Sequence, residues 1–285
     1  MSGSGTGPAD RSLGGYRDLL HEGRTVMSKA KPTGAGPSVV GIIPARYAST
    51  RLPGKALRLI LGKPMIQRVC EQCLRAKVLD GVLVATDDER IARVVEGFGC
   101  RAVMTSPDHP SGTDRLAEAV RHIDADIVVN IQGDQPFIDP AMIDEAVRPL
   151  LDDPSVDIAT LKHAISKPQD LQDPGVVKVV VDRAGFALYF SRSLIPYPRE
   201  TVPHSVYEHV GLYVYRRGTL VELARLEPTI LEQVESLEQL RWLEHGLRIC
   251  VVETHCGDHE FSGFSVDTAE DLARAEAMLR ERGVD

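Results

Sequence analysis

Residues 44–55, Pro44-Ala45-Arg46-Tyr47-Ala48-Ser49-Thr50-Arg51-Leu52-Pro53-Gly54-Lys55, gather three fixed cations, two small hydroxyls and a Pro-Gly turn directly behind a short apolar run. Arginine forks and a lysine point charge suit a polyphosphate. They neutralise it when bound and stabilise it further as charge moves onto a departing pyrophosphate. The plainer reading is a solvated basic loop. Its place at the carboxyl end of a strand, where α/β sheets bind ligands, favours the phosphate reading. A second group is Asn130-Ile131-Gln132-Gly133-Asp134-Gln135-Pro136. A carboxylate after a buried strand can hold a hard cation such as Mg²⁺, which keeps several waters and bridges substrate phosphates. Gly133 lets the backbone approach closely, and an Asx-type turn would use the same residues. Far away in sequence, Thr268 and Asp271 fit a capping box, which leaves Asp267 without a structural task and raises it as a second metal ligand. In His109-Pro110-Ser111-Gly112-Thr113-Asp114-Arg115, hydroxyls and a glycine at a predicted helix start make an anion or base-edge site. A simple N-cap by Ser111 or Thr113 accounts for them equally well.

Other chemistries are excluded or unsupported. Gly54-Lys55 is followed by Ala56 and lacks the upstream glycine of a P-loop, and no G-x-G-x-x-G follows the first strand. Cys70-Glu71-Gln72-Cys73 sits inside a predicted helix and reads as buried packing. His255, Cys256 and His259 lack a fourth metal ligand. Glu232, Glu235 and Glu238 at i, i+3 spacing read as a solvated helix face.

The elements that must position these residues follow from the apolar pattern. Val39–Ile43, Gly81–Ala85, Arg101–Met104 and Asp126–Ile131 read as buried strands, with helices over Pro64–Val78, Glu89–Gly97, Gly112–His122 and Pro140–Leu151. Such alternation with short connections predicts an α/β protein whose parallel sheet is covered on both faces. The second half is richer in β-runs: Ile158–His163, Val176–Asp182, Ala187–Phe190, Val210–Arg216 and Leu247–Glu253. It also holds a Pro-rich loop over Ile195–His204, a long helix over Leu231–Gly246 and a closing helix over Thr268–Arg282. Residues 1–37 are Gly/Ser/Pro-rich at both ends and read as a flexible extension with room for one short helix over Tyr16–Ser28.

A length of 285 residues predicts roughly two domains, with a soft boundary near Asp152–Asp157. The balance of 33 Lys+Arg against 41 Asp+Glu, a net charge of −8, argues against a nucleic-acid partner. Five cysteines are too few for a disulfide scaffold and suit a reducing compartment. No apolar run is long enough to cross a membrane, and the N-terminus lacks the apolar core of a signal peptide. The expected location is cytoplasmic, with no membrane partner.

Beyond these local readings, Ile42–Lys55 resembles the opening of the 3-deoxy-manno-octulosonate cytidylyltransferases, the CMP-KDO synthetases. So do Val84-Ala85-Thr86-Asp87-Asp88, Ser111–Arg115, Val129–Asp134, Ala187–Arg192, His209–Tyr213, Leu237–Arg241 and Val266-Asp267-Thr268, in the same order from about residue 38 to 280. The resemblance implies a Rossmann-like nucleotidyltransferase fold with a mostly parallel central sheet and a smaller α+β acceptor-binding and dimerisation region. It implies a nucleotide-binding domain over 38–157. Residues 158–285 then form the acceptor and dimer region, whose C-terminal segment returns to the nucleotide site. The implied partners are CTP, a small acidic acceptor and a second copy of the chain, with Mg²⁺ as cofactor. On this likeness Arg51, Lys55 and Asp134 are catalytic. Pro44, Ala45, Arg46, Arg51, Lys55, Thr86, Asp87, Ser111, Gly112, Arg115 and Gly133 bind the nucleotide. Gln132, Arg192, His209, Tyr213, Glu238 and Gln239 serve the acceptor, and Asp134 and Asp267 hold the metal. Departures from the family pattern are Gln135 in place of Glu, Phe137 in place of an aliphatic residue, a shorter Pro198–His209 connection, a longer His255–Gly263 stretch, and Ser265 in place of Gly. They fall mostly on the acceptor side. They leave open a second acceptor class, a phosphonate such as phosphonoformate, besides a KDO-like sugar acid.

Overall fold

The computed structural model describes residues 36–49 and 51–284, together with two strand segments nearer the N-terminus. Those segments, β1 (Leu19–His21) and β2 (Arg24–Val26), pair antiparallel in place of the short helix expected over Tyr16–Ser28. Their register pairs Leu19 with Val26, Leu20 with Thr25 and His21 with Arg24. The flexible extension expected for 1–37 otherwise lies outside the described residues.

The first half builds the expected α/β layers. Its elements are β3 (Val39–Ala45), a small hairpin β4 (Leu59–Ile60) and β5 (Lys63–Pro64), α1 (Met65–Cys73), β6 (Gly81–Thr86), α2 (Glu89–Gly97), β7 (Arg101–Met104), α3 (Gly112–Ala119), β8 (Ile127–Asn130) and α4 (Pro140–Asp152). Strands β7, β6, β3 and β8 lie side by side in that order, all parallel. The chain therefore leaves β3 in one direction and crosses back to β8 on its other side. That reversal opens a crevice at the carboxyl ends of β3 and β8, the place where such sheets take ligands. Side chains alternate across the sheet: Ile43 joins the core beneath α1 and α4, while Ile42 joins the one beneath α3. Helix starts are capped as their sequences demand. Asp88 accepts from Arg90 N–H, and Asp139 accepts from Ala141 N–H ahead of Pro140.

The second half extends the same sheet. Its strands are β9 (Ile158–Ala164), β10 (Lys178–Val181), β11 (Ala187–Ser191), the long β12 (Tyr207–Arg216) and β13 (Cys250–Glu253). β12 runs antiparallel to β8 through Tyr213–Arg216 and to β9 along its length, with an irregularity between Val210 and Tyr213. β10 and β11 form an antiparallel edge, and β13 adds parallel to β9. Helices α5 (Arg217–Leu223), α6 (Ile230–Glu235), α7 (Gln239–Glu244), α8 (His259–Ser262) and α9 (Ala269–Glu281) complete the chain.

The long helix expected over Leu231–Gly246 is instead α6 and α7, broken at Ser236, which adopts φ 51. Glu232 and Glu235, expected on a solvated face, are both engaged. Glu232 takes both Arg241 Nε and Nη2 at 2.7 and 2.6 Å. Glu235 accepts from Ser191 Oγ and Arg192 N–H. These bonds form only because the chain folds back at Ser236, which i, i+3 spacing along one continuous helix does not anticipate. Among the described residues no helix is long and apolar enough to cross a membrane.

Candidate active site

Gly54 sits at φ 65 and turns the basic loop so that Lys55 opens a short helical turn, Lys55–Leu57, pointing at the end of β8. A Cβ on Gly54 would also press the Tyr47 ring at 3.1 Å, so glycine is required twice over. The residue after Gln132 is equally constrained. A Cβ at Gly133 would lie 2.9 Å from the Pro44 carbonyl oxygen, so only glycine lets the loop after β8 lie against the end of β3.

This close approach brings Asp134 under the basic loop. Lys55 Nζ donates to Asp134 Oδ2 at 2.8 Å and to Asp267 Oδ1 at 2.9 Å, and Arg51 Nη2 reaches Asp267 Oδ1 at 3.0 Å. Val266 N–H donates to the Asp134 carbonyl at 2.9 Å, which sets the two acidic segments in register. Burial works against the Lys55 ammonium, but the two carboxylates outweigh it and hold its pKa above the ordinary lysine value. The capping box expected at Thr268 and Asp271 is present, and Asp271 also accepts from Asp267 N–H at 3.1 Å. The Asp267 side chain is thereby presented from the base of a rigid helix start.

A cavity of about 330 Å³ opens over this cluster. Its wall takes Pro44, Ala45, Arg46, Arg51, Lys55, Ser111, Gly112, Arg115, Gln132, Gly133, Asp134 and Asp267 from the sequence assignments, so residues from four separate stretches meet at one place. Two nucleotide assignments are not on the wall. Thr86 is fully buried at the end of β6, and Asp87 stands behind Arg115, accepting from its Nη2 at 3.3 Å. Ser111 fills both roles considered for it. It caps α3, with its oxygen 3.2 Å from Asp114 N, and it lines the cavity. Ser49 and His109, which the sequence marked only as members of their segments and gave no role of their own, also line the cavity. His109 is held by Glu118, whose carboxyl is kept below its usual range first by the Ser106 N–H and then by His109. The signal was present, since His109 opens the same Ser-Gly-Thr segment.

Of the six acceptor assignments, Gln132 alone lines this cavity among the described residues. Gln132 lines the cavity and donates to Gly211 O at 3.3 Å. Glu238 accepts from Thr113 Oγ1 at 2.7 Å, directly behind Gly112, and burial pushes its carboxyl up against the opposing effect of that bond. Gln239 is buried beside it. Tyr213 packs between His209 and Trp242, with ring centroids at 5.3 and 5.1 Å, and its buried hydroxyl has no hydrogen-bond partner among the described residues. Arg192 is not brought to the cavity. Its guanidinium goes to the carbonyls of Pro174, Glu235 and Ser236. His209 lines a second cavity of about 300 Å³, which also takes Gln135, His163, Glu208 and His259.

His209 Nε2 lies 3.0 Å from Thr160 Oγ1, and burial pushes the imidazole down to about 3 from its usual 6.5. The unfolded chain binds this proton near pH 6.5 and the folded chain does not until about 3. Stability from neutral His209 is therefore complete above pH 6.5 and is lost as pH falls from there. The ceiling is about 1.4 kcal/mol per pH unit. The ring keeps an edge on the second cavity, so the realised slope lies below that ceiling. His209→Gln is expected to flatten the acid limb of melting temperature between pH 6.5 and 4, a range set by that pKa. An unchanged limb would show that His209 does not carry it.

Comparison with known proteins agrees with this geometry. Residues 40–249 match the Cytidylyltransferase family. Over 254 residues the chain is 53% identical to the 3-deoxy-manno-octulosonate cytidylyltransferase of Pelobacter propionicus, covering 85% of this chain and 98% of that one. The enzyme of the same name from Geobacter sulfurreducens is also 53% identical, and all of it is covered. The solved structure of a CMP:2-keto-3-deoxy-manno-octonic acid synthetase complexed with CTP superposes with a TM-score of 0.81 at 45% identity, covering 86% of this chain and 99% of that one. The fold and its crevice are those of a nucleotidyltransferase, and the chain is a CTP-using cytidylyltransferase. It belongs to the 3-deoxy-manno-octulosonate cytidylyltransferase family, the CMP-KDO synthetases.

Proposed function

We propose that this enzyme transfers CMP from CTP to KDO with release of pyrophosphate, that Mg²⁺ assists, and that it works as a cytoplasmic homodimer. The observation that carries the site assignment is the convergence of Asp134 and Asp267 on one positive charge beneath the Arg/Lys loop. The Lys55 ammonium there stands in for a cation between two carboxylates. An all-oxygen donor pair suits Mg²⁺, and no third His, Cys, Asp or Glu joins it among the described residues. That matches a cation that takes its remaining ligands from water and phosphate.

In this reading Asp134 and Asp267 would hold the ion, which would supply Lewis-acid charge to the α-phosphate and the attacking hydroxyl. An acceptor hydroxyl oxygen attacks the α-phosphorus, its proton passes to water, and the bond to the bridging oxygen of pyrophosphate breaks in line. Arg46, Arg51 and Lys55 orient the triphosphate and stabilise the charge that collects on the leaving group. Ser111, Gly112 and Arg115 border the nucleoside, while Asp87 and Thr86 support Arg115 and the end of β6 from behind. Gln132 presents the acceptor from the cavity wall, Tyr213, Glu238 and Gln239 support that side of the site from buried or half-buried positions, and positioning supplies most of the rate.

The names of the relatives support KDO as acceptor. So does the location of two departures from the family pattern. Gln135 lines the second cavity, and Phe137 is buried in a cluster of apolar side chains, so neither replaces a group on the wall beside Gln132. An assay of pyrophosphate release with CTP, Mg²⁺ and either KDO or phosphonoformate tests the choice. Turnover is expected with KDO alone. Preference for phosphonoformate would transfer the assignment to a phosphonate.

A further inference from the structure

Asp267 comes from a part of the chain that joins no strand of the large sheet. What seats it is a small apolar cluster separate from the two main cores: Leu52, Ile60, Met65, Phe137, Val266, Ala275 and Leu279. Each charged piece of the site is close in sequence to one of its members. Leu52 follows Arg51, Phe137 comes three residues after Asp134, and Val266 precedes Asp267. Phe137 lies at the centre. Its ring stacks on Phe261 with centroids 4.4 Å apart and planes 3° from parallel, and on Phe264 at 6.2 Å. Arg282 closes the far side of Phe261 at 3.9 Å while pairing with Asp258, which caps α8. The α8 turn and the end of α9 thus grip one aromatic stack, and that stack rests on the residue three beyond Asp134.

We propose that Phe137 is a positioning residue: through its stack on Phe261 and Phe264 it holds the C-terminal segment at the depth where Asp267 meets Lys55 and Asp134. The stack is larger than the single backbone bond from Val266 to the Asp134 carbonyl that fixes the register. Aromatic pairs of this geometry stabilise beyond their buried area. Without them the segment opens locally while the sheet, with its own two cores, stays closed. The inference rests on the metal reading of Asp134 and Asp267 only for the second of the two measurements below.

Full-length wild type, Phe137→Ala and Phe137→Leu are compared by amide hydrogen exchange and by Mn²⁺ titration in the presence of CTP. For Phe137→Ala, exchange over Phe264–Glu281 is expected to quicken by roughly tenfold or more, with β3, β6 and β8 at wild-type rates. Mn²⁺ half-saturation should rise by about tenfold, and Phe137→Leu, which refills most of the volume, should recover most of both effects. Exchange that stays at wild-type rates, or that rises equally in β3, β6 and β8, overturns the proposal. So does localised opening with unchanged half-saturation. Wild-type protein that binds no Mn²⁺ alongside CTP removes the metal reading, and the exchange result then decides the docking claim alone.

Discussion

Asp134→Asn is expected to lower kcat by roughly 10²–10³-fold, because it removes charge from the point where charge shifts during transfer. The amide keeps the volume of the carboxylate. The close approach of Gly133 to Pro44 and the bond from Val266 N–H to the backbone oxygen of residue 134 do not involve the side chain. Lys55 retains Asp267 at 2.9 Å. The lost ion pair is about a quarter exposed on the carboxylate side, so the change in stability should stay near ~1 kcal/mol or less. Turnover at saturating CTP and Mg²⁺, measured beside the melting temperature, separates the two effects. Near-normal kcat would remove Asp134 from the chemistry.

Lys55→Met is expected to cost about 10²–10³-fold in kcat/KM for CTP, through loss of the point charge that balances the leaving pyrophosphate. Methionine preserves length and packing but takes the Lys55 charge from both Asp134 and Asp267, leaving Asp267 with Arg51 at 3.0 Å. With that shared positive charge gone, the two carboxylates gain affinity for a proton or a metal. Mg²⁺ should therefore raise the melting temperature of Lys55→Met more than that of wild type, since a ligand stabilises according to how tightly the folded state binds it. Lys55→Arg should not restore activity, because a planar fork does not replace a point donor between two acids. A normal kcat/KM in Lys55→Met, or an equal Mg²⁺ response in both proteins, would contradict the placement of Lys55 at the cation seat.

Much of the site is local in sequence and was legible there. Pro-Gly ahead of Lys55, Gly ahead of Asp134 and the Thr268/Asp271 box are turn and cap signals whose physics acts within a few residues. The four parallel strands were legible for the same reason, as short apolar runs bounded by breakers. Failures came where a distant partner decided the local conformation. Residues 231–246 have helical spacing throughout, yet the pairing of Glu232 with Arg241 and of Glu235 with Arg192 goes with a fold-back at Ser236. Arg192 carries a guanidinium suited to an acidic acceptor, but the carbonyls of Pro174, Glu235 and Ser236 claim it. His109 gains its individual place only from the fold, because a histidine beside a cap has no periodic or spacing signature of its own.

By itself the sequence determined which segments would be strands of the large sheet, where their loops must turn, and that three cations and a cluster of acids stood available at loop positions. Those outcomes follow from backbone sterics and hydrophobic period, which are properties of neighbouring residues. Tertiary structure alone decided that Asp267, 212 residues from Lys55, shares one ammonium with Asp134, and that Thr113 donates to Glu238 across 125 residues. Contacts over such separations need the reversed strand order β7-β6-β3-β8 and the packing of α9 through Ala275 and Leu279 into the cluster of Leu52, Ile60, Met65 and Phe137. No local preference encodes that arrangement, because its free energy comes from burying surfaces contributed by several distant parts of the chain.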